Sequence, residues 1–129
     1  MSIGLFAVVA LAGGAGAGAR WIVDVALGRV LRARFPWAIL LINVTGSFAL
    51  GVVTGASAAL DAAVIAAVGT GLLGGYTTFS TVAVESVLLW ERRQRRLFWA
   101  NVLGTAAAAL AAAALGVLAG SVAAGAVLG

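Results

Sequence analysis

The stretch "GGYTTFSTVAVE", Gly74 to Glu85, decides how this chain folds. It lies across the end of a run, 62–84, that carries no charge and otherwise reads as a lipid-spanning helix. Glycines, the hydroxyl residues Thr77, Thr78, Ser80 and Thr81, and an acid are costly at membrane depth unless they face protein, water or an ion. A straight helix over 62–90 would be about 43 Å long, longer than the roughly 30 Å hydrocarbon slab. With Gly74-Gly75 and Thr77-Thr78 at its middle, a break is expected there. Unwound backbone is tolerated at that depth only where it is buried or lines a cavity, and its freed carbonyls then suit a cation and its freed amides an anion. Past the break, helical spacing sets Thr78, Thr81 and Glu85 on one face and Phe79, Val82 and Ser86 on the next.

Composition agrees with a membrane setting: 64% of the residues are hydrophobic and 9% are charged, and mean hydropathy is +1.16. Uncharged runs at 1–19, 35–60, 62–84 and 97–129 are each near or above a membrane crossing in length. The expectation is an all-α integral membrane protein of one domain, 1–129, with transmembrane helices near 3–27, 37–57, 62–90 and 97–127 and the third broken at its midpoint. The first run lacks the basic leader of a signal peptide and is expected to be a retained helix. There is no cysteine or histidine, which excludes disulfides, thiolate chemistry, imidazole bases and His/Cys metal sites. No nucleophile, base and orienting group can be assembled, so an enzyme is not expected. The net charge of +4 comes from arginines flanking the spans, which fits lipid headgroups rather than nucleic acid.

Lipid removes the hydrophobic drive between helices and leaves close packing to hold them together. Small residues recur every fourth position at Gly104, Ala108, Ala112, Gly116 and Gly120, at Ser47, Gly51 and Gly55, and at Gly14 and Gly18. Each series predicts a smooth stripe for helix packing. Asn43 extends the second stripe and faces the bundle, while Asn101 and Thr105 share one face of the last helix. Arg20 and Asp24, four apart, have the spacing of an interfacial pair.

"GGAGAGARW" (13–21), "NVTGSF" (43–48) and above all the opening stretch resemble the signature blocks of the CrcB/Fluc fluoride channels, in the same order and spacing. The resemblance spans all four helices. It implies an antiparallel dimer with two narrow pores, passive fluoride export across the cell membrane, and a structural sodium ion at the dimer centre. The sodium ligands it implies are the backbone carbonyls of Gly74 and Thr77 from both subunits. It also implies an ion path in which Asn43 gives an amide N–H, Phe79 its positive ring edge, and Ser80, Thr81 and Thr105 hydroxyl donors, with Arg20 favouring anions in the vestibule. Three places depart from the family pattern. Val82 stands where a second phenylalanine is usual, Asn101 where a tyrosine is common, and Ala38-Ile39 where Gly-Thr follows the proline.

Two alternatives stay open from sequence. A small proton-coupled multidrug exporter would need an embedded acid in the first helix, for which only Asp24 is available. A non-conducting accessory subunit would account for the missing aromatics. Arginine placement adds an expectation of its own. With four spans, Arg29, Arg32, Arg34, Arg92, Arg93, Arg95 and Arg96 fall on one side and none on the other. Positive loops stay cytoplasmic, so both termini are expected outside. A chain so biased does not readily insert both ways, which favours a heterodimer with a homologous subunit over a homodimer.

Overall fold

Four helical passes, each long and apolar enough to cross a membrane, make up the computed structural model, which describes residues 1–129. Helix α1 (Ile3–Val30) is capped by the Ser2 hydroxyl, which accepts from the Leu5 N–H at 3.2 Å. Helix α2 (Trp37–Gly55) follows Pro36, which has no N–H to leave unpaired. The third pass comes in two pieces, α3 (62–76) and α4 (Ser80–Glu91), and α5 (Arg95–Leu128) completes the bundle. Relative to the expected spans, α1 continues to Val30, α2 stops at Gly55 and α5 starts at Arg95, differences confined to fraying ends.

The expected stripes on α2 and α5 meet each other. A Cβ added at Gly51 would strike the Ala113 carbonyl, and one at Gly55 the Val117 carbonyl. In return, Gly116 faces the Phe48 carbonyl and Gly120 the Val52 carbonyl. The two backbones approach as closely as glycine allows, which recovers dispersion and Cα–H···O contacts that a larger side chain would prevent.

Helix α1 differs from expectation. Gly14 and Gly18 have no neighbour within 4 Å of a would-be Cβ. The packing glycines are instead Gly16, against the Leu72 carbonyl, and Gly13, whose carbonyl faces Gly75. Contact with α3 turns this face inward and leaves the Gly14–Gly18 stripe outside. A Cβ added at Gly104 would likewise meet nothing within 4 Å.

The expected break is present: it spans 77–79 and opens within the stretch 74–78 where it was expected. Gly74 and Gly75 are helical, and regular structure stops after Tyr76, with Thr77 extended at φ −75° and ψ 153°. Gly75 serves close approach to α1, and of the residues expected at the break it is the threonines that open the chain. Two segments have wide π turns, Ile65–Leu73 and Ala100–Gly104. Neither is signalled by the apolar periodicity. The first carries Gly71, whose would-be Cβ lies 2.8 Å from the Val9 carbonyl, so the wide turn and the α1 contact occur together.

Only 18 of 129 residues are buried, which leaves most apolar surface to lipid or a second subunit. The apolar core is small: Ile39, Ile42 and Val82, with Val23 and Tyr76 against them. The α4–α5 turn places Arg93 at φ 58°. Gln94 N–H donates to the Leu89 carbonyl at 2.9 Å and Arg93 N–H to the Trp90 carbonyl at 3.0 Å, which is a Schellman closure with arginine in the position glycine normally takes.

Candidate functional site

A helix break leaves backbone groups that need partners, and here a single side chain takes two of them. The Thr78 N–H donates to Asn43 Oδ1 at 2.9 Å, and Asn43 Nδ2 donates to the Thr78 carbonyl at 3.0 Å. Asn43, on α2, is buried, so its amide stands in for two helix bonds at the opening. On the upstream side, the Thr77 N–H and hydroxyl both donate to the Leu73 carbonyl at 3.0 Å and close α3. Downstream, the Thr78 hydroxyl accepts from the Thr81 N–H at 3.3 Å and caps α4. The same hydroxyl donates to Thr81 Oγ1 at 3.2 Å and lies 3.1 Å from Ser80 Oγ. Arg20 does not pair with Asp24; its Nε donates to the Gly75 carbonyl at 3.4 Å.

Around this opening lies a groove of about 460 Å³. Asn43, Gly74, Thr77, Phe79 and Thr105 line it together with Ser47 and Val82. Five of the sequence-predicted residues are thus brought together from α2, the break and α5. Ser80 and Thr81 join them through Thr78, while Arg20 reaches the break from the α1 side. Phe79 is 84% exposed and projects away from its own bundle.

Thr105 also begins a buried polar chain whose role was not legible in the sequence. Its hydroxyl donates to Asn101 Oδ1 at 3.3 Å, and Asn101 Nδ2 donates to Ser86 Oγ at 2.9 Å. Ser86 Oγ in turn donates to the Val82 carbonyl at 2.7 Å, and Asn101 Nδ2 approaches that carbonyl at 3.4 Å. Asn101 is completely buried. The available signals were that Asn101 and Thr105 share one face of the last helix and that Ser86 shares a face with Phe79 and Val82.

The three departures from the family pattern prove to be neighbours. Ile39 and Val82 pack together with Ile42, and Asn101 hydrogen-bonds to the Val82 backbone. They act as one packed unit.

No group of three acidic, histidine or cysteine side chains exists to hold a metal. The carbonyls of Gly74, Tyr76 and Thr77 accept no hydrogen bond within the chain. Unpaired main-chain oxygens at mid-span fit a hard cation such as sodium, and the residues present therefore suit the ion that the resemblance implies. At the α5 start, Arg34 from the first loop lines one concavity with Arg93, Arg95 and Arg96 from the third, so both arginine loops share one end of the bundle.

Comparison with known proteins points the same way. The profile of the family described as CrcB-like protein, Camphor Resistance (CrcB), matches residues 7–117. A protein of Chelativorans named fluoride-specific ion channel FluC is 38% identical over 106 residues, 80% of this chain and 85% of its own length. One from Mycobacterium bovis, named fluoride-specific ion channel FluC 2, is 41% identical over 115 residues, 85% of this chain and 90% of its own. A Leifsonia xyli relative, fluoride-specific ion channel FluC 1, is 48% identical over 90 residues, 68% of this chain and 66% of its own.

Proposed function

Since the chain belongs to the CrcB family, we propose that it is a fluoride-selective channel subunit that lets fluoride leave the cytoplasm passively. The observation that carries this reading is the groove at the broken third pass, where Asn43, Thr77, Phe79 and Thr105 converge at membrane depth. Fluoride is small and strongly hydrated, so it sheds water only where a dense row of donors replaces it. Asn43 keeps one N–H beyond the bond to Thr78, Ser80 and Thr81 add hydroxyls beside it, and Phe79 offers the positive rim of its ring. Arg20 holds the Gly75 carbonyl and places a fixed positive charge beside the break.

The groove cannot face lipid as it stands. Free carbonyls and hydroxyls in hydrocarbon are unfavourable. A second subunit in antiparallel orientation would cover the groove, and Gly14, Gly18 and Gly104, where an added Cβ would meet nothing within 4 Å, leave smooth faces for it. At the dimer centre, the Gly74 and Thr77 carbonyls of both subunits would hold a sodium ion, which supplies a fixed positive charge there. Convergence of the arginine loops at one end supports a cytoplasmic end for them and an outside location for both termini. The same bias favours a heterodimer with a homologous chain of opposite orientation.

The test is efflux from fluoride-loaded proteoliposomes containing this chain alone or with a homologous partner. Fluoride release without chloride release is expected, strongest with the partner. Absence of efflux in both settings, or equal chloride passage, would reject the channel reading. Terminal reporters found on both membrane faces, with full activity from this chain alone, would reject the heterodimer.

A further inference from the structure

We propose a second anion site on this chain, at the α4–α5 turn, which binds the phosphate group of an anionic lipid. A concavity of about 350 Å³ is lined there by Arg34, Arg93, Gln94, Arg95, Arg96 and Leu97. Four arginines line it, and no carboxylate is among its lining residues. The nearby acids face elsewhere: Glu91 lines a groove with Ala83 and Val87, while Asp24 and Glu85 share a different cavity with Arg32. The concavity therefore carries uncompensated positive charge.

The backbone adds donors to the same place. Gln94 is the N-cap of the 34-residue α5 and makes no side-chain cap bond. The N–H groups of Arg95, Arg96 and Leu97 have no acceptor in the chain, and Phe98 is the first of the helix to donate, to the Gln94 carbonyl. Guanidinium groups and unpaired amides at a helix start are the complement of a phosphate oxyanion. Arg95 is held over the Trp90 ring at 3.3 Å from its centroid, which orders one of the four charges.

Arg93 gives an independent reason to look for a ligand. It occupies the left-handed region that a Schellman turn reserves for glycine. A non-glycine residue kept in that conformation makes sense if its side chain does something glycine cannot. Depth in the membrane selects the source of the phosphate. Trp37, Trp90 and Trp99 are exposed beside the two arginine loops, as side chains at the headgroup level are. A lipid headgroup is the phosphate that lies at that level.

The site is tested on the purified full chain in neutral detergent, with its partner subunit where one co-purifies. Short-chain phosphatidylglycerol, phosphatidylcholine and inorganic phosphate are each titrated at constant ionic strength, and the thermal unfolding midpoint is followed by tryptophan fluorescence. Phosphatidylglycerol is expected to raise the midpoint saturably, by linkage to the folded state. The Arg93→Gln/Arg96→Gln variant should bind it at least tenfold more weakly. Arg29→Gln, outside the concavity, should respond as the unaltered chain does. All three side chains are exposed, and circular dichroism before titration confirms that each variant is folded. An equal response to phosphatidylcholine, or an undiminished response in the double variant, would overturn the site. Inorganic phosphate acting as strongly as the lipid, with the same arginine dependence, would overturn the lipid in favour of a soluble oxyanion.

Discussion

Replacing Asn43 separates the two roles that the site gives it, holding the break open and meeting the ion. Asn43→Ala removes both bonds to Thr78, of 2.9 and 3.0 Å, and leaves a backbone N–H and carbonyl unpaired at mid-span. A lost bond costs about 1 kcal/mol net, and a buried group left without a partner about 1–3 kcal/mol. In a membrane the unfolded reference also finds partners, which pulls such values towards their lower end. The sum for two backbone groups is about 2–4 kcal/mol. Asn43→Asp is the informative companion, since it keeps an acceptor for the Thr78 N–H but loses the donor to the Thr78 carbonyl. It also sets a carboxylate where an anion is expected to pass. We expect Asn43→Ala to lower the unfolding midpoint in detergent and to reduce fluoride efflux. Asn43→Asp should lose less stability and yet conduct less. Flux in Asn43→Asp equal to that of the unaltered chain would refute the placement of the ion path beside Asn43. An unchanged midpoint in Asn43→Ala would refute its role in holding the break.

Phe79→Ala should abolish most fluoride flux while the isolated chain's unfolding midpoint barely moves, because the ring is 84% exposed on its own bundle; a large stability loss would mean that the ring packs within the chain. Gly116→Ala places a Cβ against the Phe48 carbonyl and should cost about 1–3 kcal/mol by overpacking, whereas Gly18→Ala on an open face should be tolerated by the isolated chain. Comparison of their melting curves decides whether the α2–α5 contact is as tight as described. Ser86→Ala takes away the acceptor 2.9 Å from Asn101 Nδ2 and should destabilise by about 1–3 kcal/mol. A neutral Ser86→Ala would show that Asn101 finds another partner.

The number of passes was legible because four uncharged runs, separated by charged or turn residues, leave few other ways to place a chain in lipid. That α2 and α5 each pack on a stripe of small residues was legible for a similar reason, since such a stripe favours close backbone approach, although their pairing with each other was not. Helix α1 shows the limit of that rule. Its glycines fall on two faces, and spacing alone does not say that Gly16 packs while Gly14 and Gly18 stay open. The break was legible from Gly74-Gly75 and Thr77-Thr78 at mid-span, but not the division of labour among them, in which Gly75 gives close approach to Gly13 while Thr77 is where the chain opens. The π turn at Ile65–Leu73 left no mark in the sequence, since it occurs with the α1–α3 contact at Gly71 rather than with a local pattern. Asn43 was recognised as bundle-facing, but its bond to Thr78 spans 35 positions and is visible only in the fold.

The positions that differ from the family pattern gain meaning from being adjacent. Ile39 and Val82 touch through Ile42, and Asn101 bonds the Val82 carbonyl, so a change at one is felt by the others. An aromatic residue restored at Val82 alone would meet a filled site, since Ile39 is 3% and Ile42 0% exposed. Overpacking of that kind costs about 1–3 kcal/mol unless neighbours shrink with it. The aliphatic cluster is therefore a settled alternative packing rather than one missing ring. The groove beside it nevertheless keeps Phe79, Thr77 and Gly74 turned outward, where this chain has nothing to cover them. In the heterodimer reading these two facts belong together: the partner covers the outward-facing break and supplies the aromatic edge that Ile39, Ile42 and Val82 leave no room for. On that reading the arginines gathered at one end set which way this chain inserts, and the covering surface comes from a chain that inserts the other way.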